Sequence, residues 1–210
     1  MATYLVAGLS RLERSVGTMR PRTRRVRTAL LAVSLVLCGA VIVGLMSTRA
    51  VLFPRTDAPD HVDALVVVSG ANDDRYRYAR RLAEGGFARH ILVSQPPSST
   101  YRDTIDEFCS DSSIAANGGR RISVSCFPPD IETTEGEATA ATRIARERGY
   151  DSLLVLTYWG HVSRVRIYFE QCFDGAIHVT DTPRPSPRSR KDALLHEIGG
   201  FVKAFLTPAC

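Results

Sequence analysis

The longest apolar segment of the chain runs from Ala29 to Met46, eighteen residues without a charged side chain. At a helical rise of about 1.5 Å per residue this segment is about 27 Å long, close to the hydrocarbon thickness of a bilayer. A helix in the core of a soluble domain would show a polar stripe, and this segment has none. The pattern predicts a basic tail (1–28), a transmembrane helix (29–47) and a short linker (48–62).

Residues 63–210 alternate short apolar runs with amphipathic helical patterns. The apolar runs predict strands that are covered on both faces, at Ala64–Ser69, His90–Ser94, Ile122–Cys126, Ser152–Thr157 and Ala176–Thr180. Strict alternation of strand and helix implies parallel strands joined by right-handed crossovers. We therefore predict an α/β domain with a Rossmann-like, doubly wound parallel sheet in three layers, preceded by one transmembrane helix.

The charge distribution orients the predicted membrane helix. The net charge is +5 at pH 7, but residues 1–28 hold seven arginines against Glu13, which leaves residues 29–210 at −1. A domain this close to neutrality lacks the basic surface that nucleic acids require, so we expect no nucleic-acid partner. By the positive-inside rule the tail stays in the cytoplasm and the chain after Arg49 is extracytoplasmic. The alternative is a cleaved signal peptide, with Thr48-Arg49-Ala50 as its cleavage site.

Four of the five cysteines fall in the part predicted to be extracytoplasmic, where disulfides persist. Of the three pairings that four cysteines allow, the sequence favours Cys109 with Cys126 and Cys172 with Cys210. The first pair would close a short polar loop, and the second would pin the last residues to a helix end. Four buried thiols are the alternative. No zinc spacing such as C-x-x-C is present, so no metal site is predicted.

Polar residues gather where the predicted strands end, which is the edge at which open parallel sheets bind ligands. We expect a flavodoxin-like strand order, in which the first and fourth strands are neighbours and bring their polar ends together. A helix N-terminus, glycine turns and two arginines there favour an anion such as phosphate or carboxylate. The candidate ligand-binding residues from this pattern are Ser69, Gly70, Asn72, Arg75, Ser94, Thr157 and Arg164, with His161 beside them.

Each candidate also has a plain structural alternative. Arg75 and Arg164 are compatible with solvated helix positions, and His161 with a helix cap. Thr133 or Thr134 followed by Glu137 has the spacing of a capping box. The chain contains no dinucleotide fingerprint, Walker loop or nucleophile elbow, so the cofactor is unknown from sequence.

Three blocks of the sequence resemble the family of bacterial envelope proteins that includes SanA, ElyC and YdcF. The blocks are Asp63–Gly70 with Arg75 and Ala79, Thr134-x-x-Glu137-Ala138, and Leu154–Arg164. The resemblance extends over about residues 62–206, and the last block is the most specific. The chain departs from the family pattern at Gly70-Ala71, Ser94-Gln95 and Gly136-Glu137, where the family often has Gly-Gly, Gly-Gly and Glu-Asn.

The resemblance implies a single-pass protein of the bacterial cell membrane that acts in envelope and peptidoglycan maintenance. It adds Thr134 to the ligand-binding residues. If a reaction occurs, His161 is the candidate acid or base and Glu137 the residue that orients or deprotonates a partner. The expected ligand is an anionic or phosphorylated small molecule, or a lipid-linked precursor. The alternatives are a non-enzymatic envelope scaffold and a nucleotide or S-adenosylmethionine binder.

Overall fold

The computed structural model of the chain describes residues 21–70, 73–116, 119–183 and 190–210. The chain divides into two compact units, with the boundary between Val43 and Gly44. Helix α1 (Pro21–Leu52) contains the predicted apolar segment. Its part from Arg25 to Leu52 reaches a mean hydropathy of 2.7 and is long and apolar enough to cross a membrane.

Six strands form one mostly parallel sheet with the order β3-β4-β2-β1-β5-β6. Their bounds are β1 (Ala64–Val67), β2 (His90–Ser94), β3 (Ser113–Ala115), β4 (Arg121–Phe127), β5 (Ser152–Thr157) and β6 (Ala176–Asp181). All five predicted strands are present, whereas β3, which pairs antiparallel with β4, was not predicted. It is only three residues long, too short for a periodic pattern.

The expected flavodoxin-like order is wrong. When only the predicted strands are numbered, the observed order is 3-2-1-4-5. A flavodoxin-like sheet reads 2-1-3-4-5, an order in which the first strand neighbours the third strand and not, as we expected, the fourth. The first and fourth predicted strands, β1 and β5, are nevertheless paired in parallel from Ala64 opposite Leu153 to Val67 opposite Leu156. The neighbour relation on which the candidate site depends is therefore confirmed.

Helices follow most of the strands, and the buried side chains form two separate clusters. The helices of the second unit are α2 (Arg75–Glu84), α3 (Arg102–Cys109), α4 (Thr134–Glu147), α5 (Val162–Cys172) and α6 (Arg190–Leu206). Along β1, Ala64 and Val66 belong to one cluster with residues of α4 and α5. Leu65 and Val67 belong to the other cluster with residues of α2 and α3. Both faces of β1 are covered, which is why its sequence is continuously apolar.

The segment predicted as a linker is part of the second unit. Asp57 exchanges hydrogen bonds with the backbone of Val179 on β6, at 2.9 and 3.0 Å, and binds Arg166 Nη2 at 2.6 Å. Burial raises the pKa of the Asp57 carboxyl, but the Val179 N–H and Arg166 outweigh that effect and lower it. Closer to the apolar segment, the Ser163 hydroxyl on α5 donates to the carbonyl of Ala50 at 2.7 Å. The chain is thus fastened to the domain along this segment.

Both predicted disulfides are confirmed. Cys109 and Cys126 join the end of α3 to β4, with their Cα atoms 6.1 Å apart. Cys172 and Cys210 join the end of α5 to the last residue, with a Cα separation of 5.2 Å. These separations lie in the normal range for bonded cysteines.

Removing either disulfide is expected to lower the stability of the domain. Alanine at both Cys172 and Cys210 releases a loop of 38 residues, and the chain-entropy relation gives a loss of about 4 kcal/mol. The Cys109–Cys126 pair, 17 residues apart, should contribute about 3 kcal/mol. Thermal unfolding of the full chain measures both, with Cys38→Ala, a free and exposed cysteine, as control. Melting curves equal to the control would contradict the prediction.

Candidate functional site

An open crevice of about 460 Å³ lies at the carboxyl end of β1. Its wall is formed by the end of β1, the loop after β2, the starts of α4 and α5, and one residue of α6. Six of the ten predicted site residues line it: Ser69, Gly70, Thr134, Glu137, His161 and Arg164. A second cavity of about 410 Å³, between α2 and α3, contains none of the ten.

His161 lies between two threonine hydroxyls. Its Nε2 atom is 3.0 Å from Thr134 Oγ1, and its Nδ1 atom is 2.9 Å from Thr157 Oγ1. Thr157 is the last residue of β5 and is fully buried, whereas Thr134 is the first residue of α4 and lines the crevice. The sequence placed Thr157 among the ligand-binding residues, but its side chain contacts His161 behind the crevice wall. Thr157 therefore fixes the histidine ring.

Glu137 does not form the predicted capping box. Thr133 caps α4 by accepting the Gly136 N–H at 3.2 Å, while Glu137 is turned toward β1 and accepts the Ser69 N–H at 2.8 Å. The carboxyl is almost completely buried, and burial raises its pKa. The rise in pKa is partly offset by polar contacts with Ser94 and Ser69 and by the positive charge of Arg75. The carboxyl thus favours its neutral form more than an exposed glutamate does.

Ser94 and Asn72 were also predicted to bind the ligand. Ser94 is fully buried beneath the crevice, where its hydroxyl faces Glu137 without the alignment of a good hydrogen bond. Ser94 therefore affects the crevice only indirectly, by lowering the pKa of the Glu137 carboxyl. Asn72 lies outside the described residues.

Arg75 lies behind the crevice wall and has an exposed fraction of 1%. Its Nε and Nη2 atoms bind both oxygens of Asp73, at 2.8 and 2.7 Å, and Nη1 donates to the carbonyls of Val68 and Ser69 at 2.6 and 3.0 Å. Gly70, at φ 140°, passes close over the guanidinium, and a Cβ there would stand 3.2 Å from Nη1. Arg75 therefore stabilises the turn after β1 through these hydrogen bonds. It does not face the crevice, so the prediction that it binds the ligand is wrong.

Arg164 lines the crevice and is paired with a buried carboxylate of α6. Its Nε atom is 2.9 Å from Glu197 Oε2, a contact with poor hydrogen-bond alignment, and Nη2 donates to Oε1 at 3.2 Å. The Tyr158 hydroxyl also donates to Glu197, whose exposed fraction is only 1%. The side chain of Arg164 is itself 17% exposed, so part of the guanidinium remains accessible from the crevice.

The crevice also contains residues that were missed from sequence, among them Ser98, Tyr101, Glu132 and His196. Glu132 accepts the backbone N–H of Ser98 at 3.1 Å and also binds its hydroxyl. The hydroxyl-rich run Ser98-Ser99-Thr100-Tyr101 follows a predicted strand, so the strand-end rule applied to β2 could have indicated it. The sequence around His196 contains no feature that indicates a site, because only the packing of α6 brings this residue to the crevice.

The electrostatics of the crevice combine features that favour anions with the carboxylate of Glu132 on its wall, which opposes them. The crevice is lined by Thr134, the first residue of α4, and by His161, which directly precedes α5, and the N-terminal ends of helices favour negative charge. The raised pKa of Glu137 reduces the negative charge beneath them. The charges of Arg75 and Arg164 are matched by Asp73 and Glu197, so they add less than two unpaired arginines would. Within the described ranges, no three His, Cys, Asp or Glu side chains are grouped as metal ligands would be.

The sequence matches no protein-family model, and it matches no curated protein. The interpretation of the crevice therefore rests on its own geometry.

Two adjacent glycines of α6 provide a matched test of how Arg164 is positioned. A Cβ at Gly200 would stand 2.7 Å from Arg164 Cδ and 2.8 Å from its Nη1 atom, whereas a Cβ at Gly199 meets nothing within 4 Å. Alanine is favoured over glycine in a helix by about 0.8–1.0 kcal/mol. We expect Gly199→Ala to raise the melting temperature. Gly200→Ala should show no such rise, because the new methyl group displaces Arg164 from Glu197. Equal melting temperatures for the two alanine variants would contradict this prediction.

Glu137 should give the stability of the domain a defined pH dependence. Because its pKa is raised in the folded chain, the folded state holds the proton more tightly than the unfolded state. The stability that the protonated Glu137 contributes is fully present below the unfolded pKa of about 4.3 and is lost as pH rises through the folded pKa. Glu137→Gln keeps an oxygen that can accept the Ser69 N–H but cannot ionise. In thermal unfolding at a series of pH values, we expect the stability of the Glu137→Gln variant relative to the natural chain to increase with pH. Melting temperatures of the two proteins that change in parallel with pH would contradict this.

Proposed function

We propose that the chain is a single-pass protein of the bacterial cell envelope whose extracytoplasmic domain binds a small anionic, phosphate-bearing molecule in the crevice. The observation that carries this proposal is that the crevice lining includes Thr134, the first residue of α4, and His161 and Arg164, from the start of α5. Helix N-termini are common binding sites for phosphate groups.

We propose for the domain a Rossmann-like, doubly wound arrangement in three layers. Two observations support it: the two faces of β1 enter separate buried clusters, and the five parallel strands follow the order 3-2-1-4-5. In such sheets the strand order reverses beside the first strand, and ligands bind there. The crevice lining includes residues that follow β1 and β5, which supports this position.

The envelope assignment is supported by the apolar helix, the disulfides and the sequence blocks that resemble the SanA, ElyC and YdcF family. Disulfides persist in extracytoplasmic compartments, which agrees with a domain outside the cytoplasmic membrane. The contact between Ser163 and Ala50 also fastens the residues that follow the apolar segment to the helix carrying Arg164. A lipid-linked precursor is one candidate ligand, because its lipid would share the membrane with the apolar helix.

The orientation is tested with reporter fusions after Cys210. Alkaline phosphatase, which is active only outside the cytoplasm, should be active in this fusion, because the arginine-rich tail precedes the apolar segment. Green fluorescent protein exported by the general secretory route does not fluoresce, so the matched fusion should be dark. The reverse pattern would place the domain in the cytoplasm and refute the envelope assignment.

The binding proposal is tested with two glutamate variants of α4. Thr134→Glu places a negative charge on the crevice wall at the helix start, whereas Thr139→Glu adds the same charge farther along the helix. Isothermal titration of the full chain in detergent micelles with glycerol phosphate should show binding by the natural chain and by Thr139→Glu. Thr134→Glu should weaken binding by about tenfold or more, because one lost or repulsive charged contact costs about 1.5–3 kcal/mol. Equal affinity of the two variants would refute the crevice as the binding site.

A further inference from the structure

The contacts of His161 restrict how a ligand in the crevice can exchange a proton with it. Both ring nitrogens are within hydrogen-bond distance of a threonine hydroxyl, Thr134 on one side and Thr157 on the other. Thr157 is fully buried, whereas Thr134 and His161 both line the crevice. A ligand in the crevice can therefore contact the Thr134 hydroxyl while the His161 ring lies beside it.

Helix capping does not explain the position of the Thr134 hydroxyl. The cap of α4 is supplied by Thr133, whose hydroxyl accepts the Gly136 N–H. Thr134 is the first residue inside the helix, and its hydroxyl contacts the histidine instead. A hydroxyl, a base at 3.0 Å and a third group that orients the base are the three parts of an activated nucleophile.

We propose that Thr134 is the nucleophile of a phosphate-ester hydrolase, with His161 as its base and Thr157 as a positioning residue. This inference rests on the proposed binding of a phosphate-bearing molecule and assigns it a reaction. The tautomer that serves the reaction has the His161 Nδ1–H donating to Thr157, which leaves the Nε2 lone pair to accept the Thr134 proton. Phosphate is favoured as the electrophile because Thr134 stands at the positive end of α4.

The reaction proceeds in two balanced steps. In the first, Thr134 Oγ1 forms a bond to phosphorus while the bond from phosphorus to the ester oxygen breaks. The Thr134 proton moves to His161 Nε2 and then to the departing alcohol, which leaves phosphothreonine. In the second step, His161 takes a proton from water, the water oxygen bonds to phosphorus, and the bond to Thr134 breaks. The proton returns to Thr134, so the net reaction consumes one water and releases alcohol and inorganic phosphate.

The test compares threonine variants of the full chain in detergent micelles. The probes are p-nitrophenyl phosphate, which is soluble, and phosphatidic acid in mixed micelles, which is lipid-borne. Thr134→Val keeps the branched shape but removes the hydroxyl, and it should lower the rate of phosphate release by about a hundredfold or more. Thr134→Ser should keep measurable activity. Thr139→Val, on the same helix but outside the crevice, should behave as the natural chain does.

Two further measurements separate chemistry from folding. Acid-quenched protein digested and analysed by mass spectrometry should carry phosphate on residue 134 in the natural chain and none in Thr134→Val. Thr157→Val should change the pH profile of the rate, because it alters the orientation and tautomer of His161 without removing the nucleophile. Circular dichroism checks that each variant is folded.

The outcomes distinguish this inference from the binding proposal. Cleavage of p-nitrophenyl phosphate supports the reaction on free phosphate esters, and cleavage of phosphatidic acid alone supports it on lipid-borne ones. If the natural chain binds glycerol phosphate but cleaves neither probe, the reaction is refuted and the binding site stands. If Thr134→Val cleaves as fast as the natural chain, Thr134 is not the nucleophile. If glycerol phosphate does not bind, both proposals fail.

Discussion

Replacing Arg75 with alanine is expected to destabilise the domain by about 3–5 kcal/mol, the usual cost of removing one partner of a buried ion pair. Asp73 would keep its carboxylate with no counter-ion, and both members of the pair are at most 1% exposed. The carbonyls of Val68 and Ser69 would lose their donor as well. For a domain of this size the loss corresponds to a fall in melting temperature of roughly 10 °C.

The matched control is Arg77→Ala on the same helix. Arg77 also pairs with an aspartate, Asp74, but its side chain is 66% exposed and the closest N–O distance is 3.7 Å. Exposed pairs of this kind contribute about 0.2–1 kcal/mol, so this variant should melt close to the natural chain. The sequence-based role of Arg75 as an anion clamp predicts weaker ligand binding and little change in melting. Similar melting curves for the two alanine variants would therefore contradict the structural role.

The contrast between these arginines shows where sequence reasoning fails at this site. Both follow β1, and the sequence contains no feature that distinguishes a buried arginine from a solvated one. The decisive facts are that Asp73 turns back onto Arg75 and that Gly70 adopts a positive φ above the guanidinium. These are tertiary contacts, and a pattern of polar and apolar positions does not encode them.

The parts of the fold that the sequence did predict have strong, local signals. Strands such as β1 and β5 are continuous apolar runs, and the cysteine positions relative to predicted loops and helix ends were enough to favour the observed pairing. Helix α3 was not predicted, because it is only eight residues long and its buried face consists of just Ile105 and Phe108. The convergence of residues 69, 137 and 161 was predictable because parallel strands place their carboxyl ends at one edge of the sheet.

The second large effect is expected at Arg164, and a double variant separates its structural role from its role in binding. Arg164→Ala leaves Glu197 buried, with Tyr158 as its remaining donor, and should cost about 2–4 kcal/mol, somewhat below the full range because Arg164 is 17% exposed. Adding Glu197→Gln removes the uncompensated charge and keeps an oxygen that Tyr158 can bind. We therefore expect the double variant to recover about 1–3 kcal/mol of the stability lost by the single variant.

Ligand affinity should not recover with stability. If the accessible part of Arg164 donates to a phosphate, its removal weakens binding of glycerol phosphate by about ten- to a hundredfold in the single variant and equally in the double variant, because neither can make that contact. If Arg164 serves only to pair with Glu197, the double variant regains both stability and affinity. Thermal unfolding and isothermal titration on the same two proteins distinguish these results, and a double variant with natural affinity would remove Arg164 from the binding site.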